Sequence, residues 1–301
     1  VTLYKVGKYR NIIRSLLHQA GALVSGIFNS DKGINMISST SNQQIKNIQN
    51  LMKKAKERKK QNVFIVEGPK MCFEAPHKLL KAVYVSESFY KENRYAKELN
   101  SVESVTEVVS DQVFKTISDT QTPQGIMAIV QMPEYKLEDV INKEQPHILI
   151  LESIQDPGNL GTMIRTGEGA GISGIIMNKT TVDIFNPKTV RATMGSLYRV
   201  PFFIAEDLTE AIAKLKENGI RLYAAHLKGK MSYDKPDYTK PCGFLIGNEG
   251  NGLSDEIADL ADNYIKIPMA GKVESLNAAI SATLLMYECS RQRRRGHEDL
   301  V

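Results

Sequence analysis

The sequence is poor in cysteine, and the three it has, Cys72, Cys242 and Cys289, are too few and too widely spaced for a disulfide framework or a zinc pair. A reducing, cytoplasmic compartment is therefore expected. Its five histidines, His18, His77, His147, His226 and His297, include no i,i+4 pair that one helix face could offer to a metal, so no metal is expected. The sequence lacks an uninterrupted apolar run of the ~18 residues that a membrane span requires. Internal repeats and low-complexity tracts are also missing. What remains is globular in character: 301 residues, 42% hydrophobic and 24% charged, a length that suits two domains.

The formal net charge is +5, and its distribution is uneven. Lys53, Lys54, Lys56, Arg58, Lys59 and Lys60 fall in one short run, and Arg291, Arg293, Arg294 and Arg295 in another. Such clusters attract polyanions by neutralising phosphates and releasing counterions; a solvated helix face is the competing reading. Residues 1–35 are basic, then weakly apolar, then polar, with Arg14 and His18 interrupting the apolar part. This makes a poor signal sequence, and the segment is expected to be a non-native or disordered leader.

From Ser41 to Gln61 the apolar Ile45, Ile48, Leu51, Met52 and Ala55 recur at helical spacing, with Ser41 available as cap and the lysines opposite. A basic amphipathic helix is predicted. The runs VFIVEG, AVYVS, SVTEVVS and GIMAIVQM follow, separated by helical patterns, and predict a small α/β domain over 36–133. Residues 134–145 read as a charged linker with one helical turn at most. The second domain, 146–301, contains HILILES, ISGIIMN, VPFFIAE, RLYAAHL, GFLIGNE and NYIKIPM. Several of these are apolar throughout, as strands of a parallel sheet covered on both faces are.

Three loops of this second domain are unusually rich in Gly, Pro and small polar residues, and each lies just past a predicted strand, where open α/β sheets bind ligands. In the first, Glu152 to Gly171, Asp156, Pro157 and Gly158 form a turn, and Asn159 can cap a helix carrying Arg165. Six positions separate these two, so they converge only if Asn159 stands at the helix end; a cap and a surface charge remain the plain alternative. The glycines of GEGAGISG close a helix, whereas a dinucleotide fingerprint opens one, so they read as C-cap and packing positions. In the second loop, Gly247 to Gly252 is all Gly or Asn except Glu249, a backbone suited to the edge of an adenosine. Glu249 either orients a basic neighbour or braces the loop. In the third, Ser275 is expected to cap a helix running to about Arg294, with Asn277 in its first turn.

Taken in order, DPGNLGTMIRTGEGAG, IGNEGNGL and IPMAGKVESLNAA closely resemble the three motifs of the SpoU (TrmH) branch of the SPOUT RNA methyltransferases. VFIVEGPKMCFEA resembles the start of the substrate-binding domain that often precedes them. The resemblance implies an α/β catalytic domain with a deep trefoil knot, S-adenosylmethionine as cofactor, and a homodimer whose interface helps build the sites. It implies catalytic roles for Asn159, Arg165, Glu249, Ser275 and Asn277, and cofactor contacts at Gly247, Ile267 and Leu276. The reaction implied is attack of a ribose 2′-hydroxyl on the sulfonium methyl, with ribosomal RNA favoured over transfer RNA. Two other readings are a base-methylating knotted enzyme and a non-catalytic RNA-binding or ribosome-assembly protein. A guanidinium stays protonated, so Arg165 is expected to bind phosphate and stabilise charge rather than act as base, while Asn159, Ser275 and Asn277 fix the ribose.

Overall fold

A computed structural model describes residues 36–92 and 94–298, with side chains to 294. The chain divides into two units at Met36, and the second, Ile37–Val301, is compact. The expected leader, 1–35, lies outside the described residues, as do Asn93 and the side chain of Arg295. Both predicted domains fall in the second unit, each with its own sheet.

The first sheet takes strands β1 (Met36–Ile37), β2 (Val63–Glu67), β3 (Leu80–Ser86), β4 (Thr106–Val109) and β5 (Ile126–Gln131) in the order β1-β4-β3-β5-β2. It is mixed: β5 runs antiparallel to both β2 and β3, while β3 and β4 are parallel. Helices α1 (Gln43–Lys53), α2 (Ala55–Gln61), α3 (Pro69–Phe73), α4 (Glu87–Lys91), α5 (Ala96–Ser101) and α6 (Asp111–Ile117) complete this domain. The predicted apolar stripe is real: Ile45, Ile48 and Leu51 of α1 are buried against Val63, Ile65 and Phe114. The single long helix is not. It breaks at Lys54, whose backbone is extended, and its cap is Asn42, whose side chain accepts the Gln44 N–H, instead of Ser41.

Arg58 explains the break and corrects the charge reading. Folding α2 back lets its guanidinium donate to the carbonyl of Leu51 at 2.7 Å, satisfying an end of α1, and pair with Asp183 at 2.6 Å. Only 3% exposed, Arg58 cannot belong to a phosphate-gripping face; Lys53, Lys54, Lys56, Lys59 and Lys60 are exposed.

The presumed linker contains α7 (Leu137–Ile141), whose Leu137, Val140 and Ile141 join the core of the second domain at i, i+3, i+4 spacing. That domain's sheet is parallel throughout: β6 (His147–Leu151), β7 (Gly174–Asn178), β8 (Phe202–Ala205), β9 (Arg221–Ala225), β10 (Met231–Ser232), β11 (Cys242–Ile246) and β12 (Asn263–Lys266). Their order is β10-β12-β9-β11-β6-β7-β8. Central β6 and β11 are buried at every residue, as their unbroken apolar runs predicted. Helices α8 (Pro157–Ala170), α9 (Pro187–Thr193), α10 (Leu208–Glu217), α11 (Asp255–Ala258) and α12 (Ala278–Glu298) complete it. Aromatic contacts join the two domains, Phe64 of β2 meeting Phe185 at a ring distance of 4.9 Å.

The second arginine cluster is also partly structural. Arg293 donates to the carbonyls of Tyr238, Gln145, Pro146 and Lys240 at 2.8 to 3.1 Å, clasping α12 to the chain entering β6 and β11. Arg291 pairs with Glu288. Arg294 is exposed, with no hydrogen-bond or ion-pair partner among the described residues.

His147 lies at the start of β6, 1% exposed, with its ring edge-on to Phe244. Burial, helped by the nearby Arg293 charge, pushes its pKa down to about 3. The unfolded chain therefore takes up a proton below pH ~6.5 that the folded chain refuses until about pH 3. Stability from this residue is complete above pH ~6.5 and falls as pH drops, at roughly 1.4 kcal/mol per unit. Denaturant titrations between pH 4 and 7 are expected to show this slope, and His147→Phe to remove it.

Candidate active site

The first and second motif loops follow neighbouring strands, β6 and β11, which pair in register from Cys242–His147 to Ile246–Leu151. Their ends are tied by side chains. Glu152 accepts the N–H and hydroxyl of Ser254 at 2.8 and 2.6 Å, and Asn248 Nδ2 donates to the Ser153 carbonyl at 2.9 Å. Ser153 itself has φ 57°, an unfavourable region for a side-chain-bearing residue, and its N–H donates to Asn178 Oδ1.

The second loop closes on itself through reciprocal backbone bonds between Asn248 and Gly252, and Asn248 Oδ1 accepts from Gly250 and Asn251. Gly247 sits where this closure is tightest. A Cβ there would lie 2.1 Å from backbone atoms of Gly252 and Leu253, so only glycine permits the turn.

Glu249 stands at the centre of a hydrogen-bond chain through all three loops. Its carboxylate accepts the N–H groups of Gln155 and Asp156, both at 3.0 Å, and Asn159 Nδ2 at 3.0 Å. Burial alone would raise its pKa, but these donors outweigh that and hold it below the usual range. Asn159 Oδ1 in turn accepts from Asn277 Nδ2 at 2.9 Å. Asn277 Oδ1 then accepts the N–H groups of Ala279 and Ile280.

These bonds revise both cap assignments. Asp156, not Asn159, caps α8: it accepts the Asn159 N–H at 2.7 Å, and Pro157 takes the first helical position. Asn159 is thereby inside the first turn. Asn277, not Ser275, caps α12, which begins at Ala278. An Asn that caps is no longer out of place in a helix, which removes the oddity seen in the sequence.

The structure brings Asn159, Glu249 and Asn277 together and leaves Arg165 and Ser275 outside their network. Arg165 is exposed, two turns into α8, with no hydrogen-bond or ion-pair partner among the described residues. Ser275 is exposed as well. Ile267 and Leu276 are apolar and half-buried, flanking the third loop, while Gly247 is buried. Bare backbone beside incompletely covered apolar side chains fits the needs of an adenosine cofactor. The supports Glu152, Gln155 and Asn248 escaped the sequence reading; a carboxylate immediately after a strand and ahead of a Gly-rich loop was their one signal.

The glycines after Arg165 behave as expected. Gly171 closes α8 in the left-handed region, φ 75°, at the end of the helix where a dinucleotide fingerprint would need its glycines at the start. No group of three or more His, Cys, Asp or Glu side chains among the described residues could hold a metal ion. No described helix is long and apolar enough to cross a membrane.

A parallel α/β domain with its loops tied in this way, preceded by a small mixed sheet, has the plan of a two-domain methylase. Residues 146–287 match the SpoU rRNA Methylase family and residues 42–128 the MRM3-like substrate binding domain. The chain belongs to the SpoU rRNA methylase family. It is 33% identical over 253 residues, 83% of its length, to the 23S rRNA (guanosine(2553)-2′-O)-methyltransferase RlmP of Bacillus subtilis (strain 168), 97% of which is covered. Among solved structures it resembles the SpoU methyltransferase AviRb from Streptomyces viridochromogenes, with TM-score 0.76 and 27% identity over 85% of this chain and 99% of that one. An AdoMet-bound rRNA methyltransferase from Sinorhizobium meliloti matches at TM-score 0.75 and 32% identity, over 86% and 98% of the two chains.

Proposed function

We propose that this protein is an S-adenosylmethionine-dependent ribose 2′-O-methyltransferase of ribosomal RNA, working in the cytoplasm as a homodimer, with residues 146–301 as a knotted catalytic domain and 36–133 as the RNA-binding domain. The observation that carries this reading is the Glu249–Asn159–Asn277 chain, which converts three separate motif loops into one rigid set of polar groups. S-adenosylmethionine, when bound, supplies an electrophilic methyl group. Gly247, Ile267 and Leu276 would hold it through backbone and apolar surface.

The work left to the protein is positioning, since the 2′-hydroxyl and the methyl need to meet in line at near-contact distance. Asn159 and Asn277 each keep an amide N–H beyond those in the network, and these can hold a ribose. Glu249 is occupied by three donors and acts as the brace that aims Asn159. Arg165 binds phosphate and steadies charge.

Asn159 and Arg165 lie about 9 Å apart along one helix and a third of a turn apart around it. They cannot readily converge on one ribose within a single protomer, which favours a site completed by the partner subunit. Exposed apolar side chains support that interface: Ile280 is 50% and Tyr287 41% exposed on α12, beside the α8 face that carries Arg165 and Gly169. A groove of about 350 Å³ passes Pro157 at the start of α8, lined by Lys53 and Lys188, and offers RNA a path to the loops.

Methyl transfer from labelled S-adenosylmethionine to protein-free RNA of a strain lacking the gene tests the function directly. Nuclease digestion and mass spectrometry should find a 2′-O-methylnucleoside in ribosomal RNA; methyl on a base, or no transfer to RNA or to assembly precursors, would reject it. Glu249→Gln keeps size but loses an acceptor, and is expected to lower kcat about 10- to 100-fold through misplacement of Asn159. Gly247→Ala, whose Cβ the backbone excludes, should weaken S-adenosylmethionine binding at least about tenfold by calorimetry, with unfolding still cooperative.

A further inference from the structure

A cavity of about 710 Å³ opens on the N-terminal domain, where β2, β3 and β4 end and β5 begins. It shares no lining residue with the motif loops and has twice the volume of the groove beside Pro157. Its size is within the range of pockets that enclose small organic ligands, about 300–1,000 Å³.

Its lining combines aromatic and cationic groups. Phe89 and Tyr95 stack at a centroid distance of 5.3 Å with their planes 7° apart, and the Arg94 guanidinium lies over the Tyr95 ring at 5.4 Å. Lys70 and Lys115 add two more positive charges. No ion pair occupies any of these three cations among the described residues, in contrast to Arg58, Arg199 and Arg291, which are all paired. On the acidic side stand Glu92 and Asp111, two carboxylates against three cations, and Asp111 accepts the N–H and hydroxyl of Ser88 at 3.1 and 2.8 Å. Those bonds hold its carboxyl below the usual range, leaving a fixed acceptor inside a net-positive cavity.

We propose that this cavity binds one unstacked nucleotide of the RNA, its base against the half-buried Tyr95 ring, which the buried Phe89 backs, and its flanking phosphates on Lys70, Arg94 and Lys115. The proposal rests on the RNA methyltransferase reading and deepens it: RNA would be gripped at two separate points, the methylated ribose and a second, splayed-out nucleotide. Stacking on aromatic rings combined with backbone neutralisation is the way proteins hold single-stranded RNA, and strands of a duplex cannot offer a base to such a pocket without unstacking it. A free mononucleotide has the same chemistry, and the experiment separates the two.

The full chain is titrated with protein-free ribosomal RNA in 0.15 M salt. Arg94→Ala/Lys115→Ala should bind at least about tenfold more weakly than wild type, with the log–log salt slope shallower by about 1.4, two single-strand phosphate contacts at ~0.7 each. Its unfolding temperature should match wild type, and Lys97→Ala, an exposed lysine outside the cavity, should bind RNA as wild type does. Ultraviolet crosslinks to the RNA should map to the peptide containing Phe89 and Tyr95. Equal RNA affinity of the double variant and wild type, crosslinks confined to the C-terminal half, or complete displacement of RNA by equimolar mononucleotide would each overturn the proposal. Wild-type protein that binds RNA through these residues but transfers no methyl would leave the pocket standing and defeat the methyltransferase reading; methyl transfer with an unaffected double variant would do the reverse.

Discussion

Arg165→Ala is expected to lower methyl transfer about 10²- to 10³-fold while leaving the unfolding temperature and S-adenosylmethionine affinity where they were. The separation follows from its surroundings. Arg165 is exposed and touches no hydrogen-bond or ion-pair partner among the described residues, so its removal breaks nothing in the fold. A guanidinium is a planar fork able to bind phosphate at two points, and in the role proposed for Arg165 it would stabilise the charge that grows as the hydroxyl is activated; the loss of one such donor typically costs this much in turnover. Arg165→Lys should recover the charge but not the fork, and remain at least about tenfold slow. Undiminished turnover in either variant would remove Arg165 from the site.

The same residue tests the dimer. If Arg165 serves the partner's ribose, then Arg165→Ala and Asn277→Ala proteins, each nearly inactive alone, should regain activity when mixed and allowed to exchange subunits. One site of the mixed dimer then carries both lesions and the other carries none. Inactivity of the mixture, with exchange verified, would put all the groups in one protomer.

Arg58→Met is expected to produce the largest loss of stability, about 3 kcal/mol by denaturant titration. Breaking a buried ion pair by removing one partner costs about 3–5 kcal/mol, because the other charge stays behind unpaired. Asp183 retains 20% of its side-chain surface in contact with solvent, which points to the low end of that range. Part of the loss is the carbonyl of Leu51, left without the donor that closes α1. Adding Asp183→Asn should restore about half, since the amide preserves the acceptor for the Phe185 N–H while removing the stranded charge. A loss below ~1 kcal/mol for the single variant would mean that the pair is incidental to holding the basic helices against the catalytic domain.

The strands of both sheets could be read from the chain because a strand buried on two faces is apolar at consecutive positions, as in His147–Leu151 and Cys242–Ile246. The two-residue strands Met36–Ile37 and Met231–Ser232 could not, since a pair of residues has no pattern. The one helical turn allowed for in 134–145 is present at 137–141, but its place in the second domain's core was hidden: its three apolar residues stand among charges in a segment too short for a period to stand out.

Asn159, Arg165, Glu249, Ser275 and Asn277 stood out in the sequence because the loops around them are crowded with Gly, Pro and small polar residues beyond what a simple connection needs. Their division of labour was not. The sequence alone determined the family, the longer strands and the identities of the loops, because these depend on local residue type and order. Tertiary structure decided that Arg58 and Arg293 are internal clasps instead of phosphate ligands, that Asp156 and Asn277 are the helix caps, and that Glu249 braces Asn159. These depend on partners 2 to 148 positions away in the chain, and a cation or a carboxylate carries no mark in the sequence of which distant group folding will set beside it.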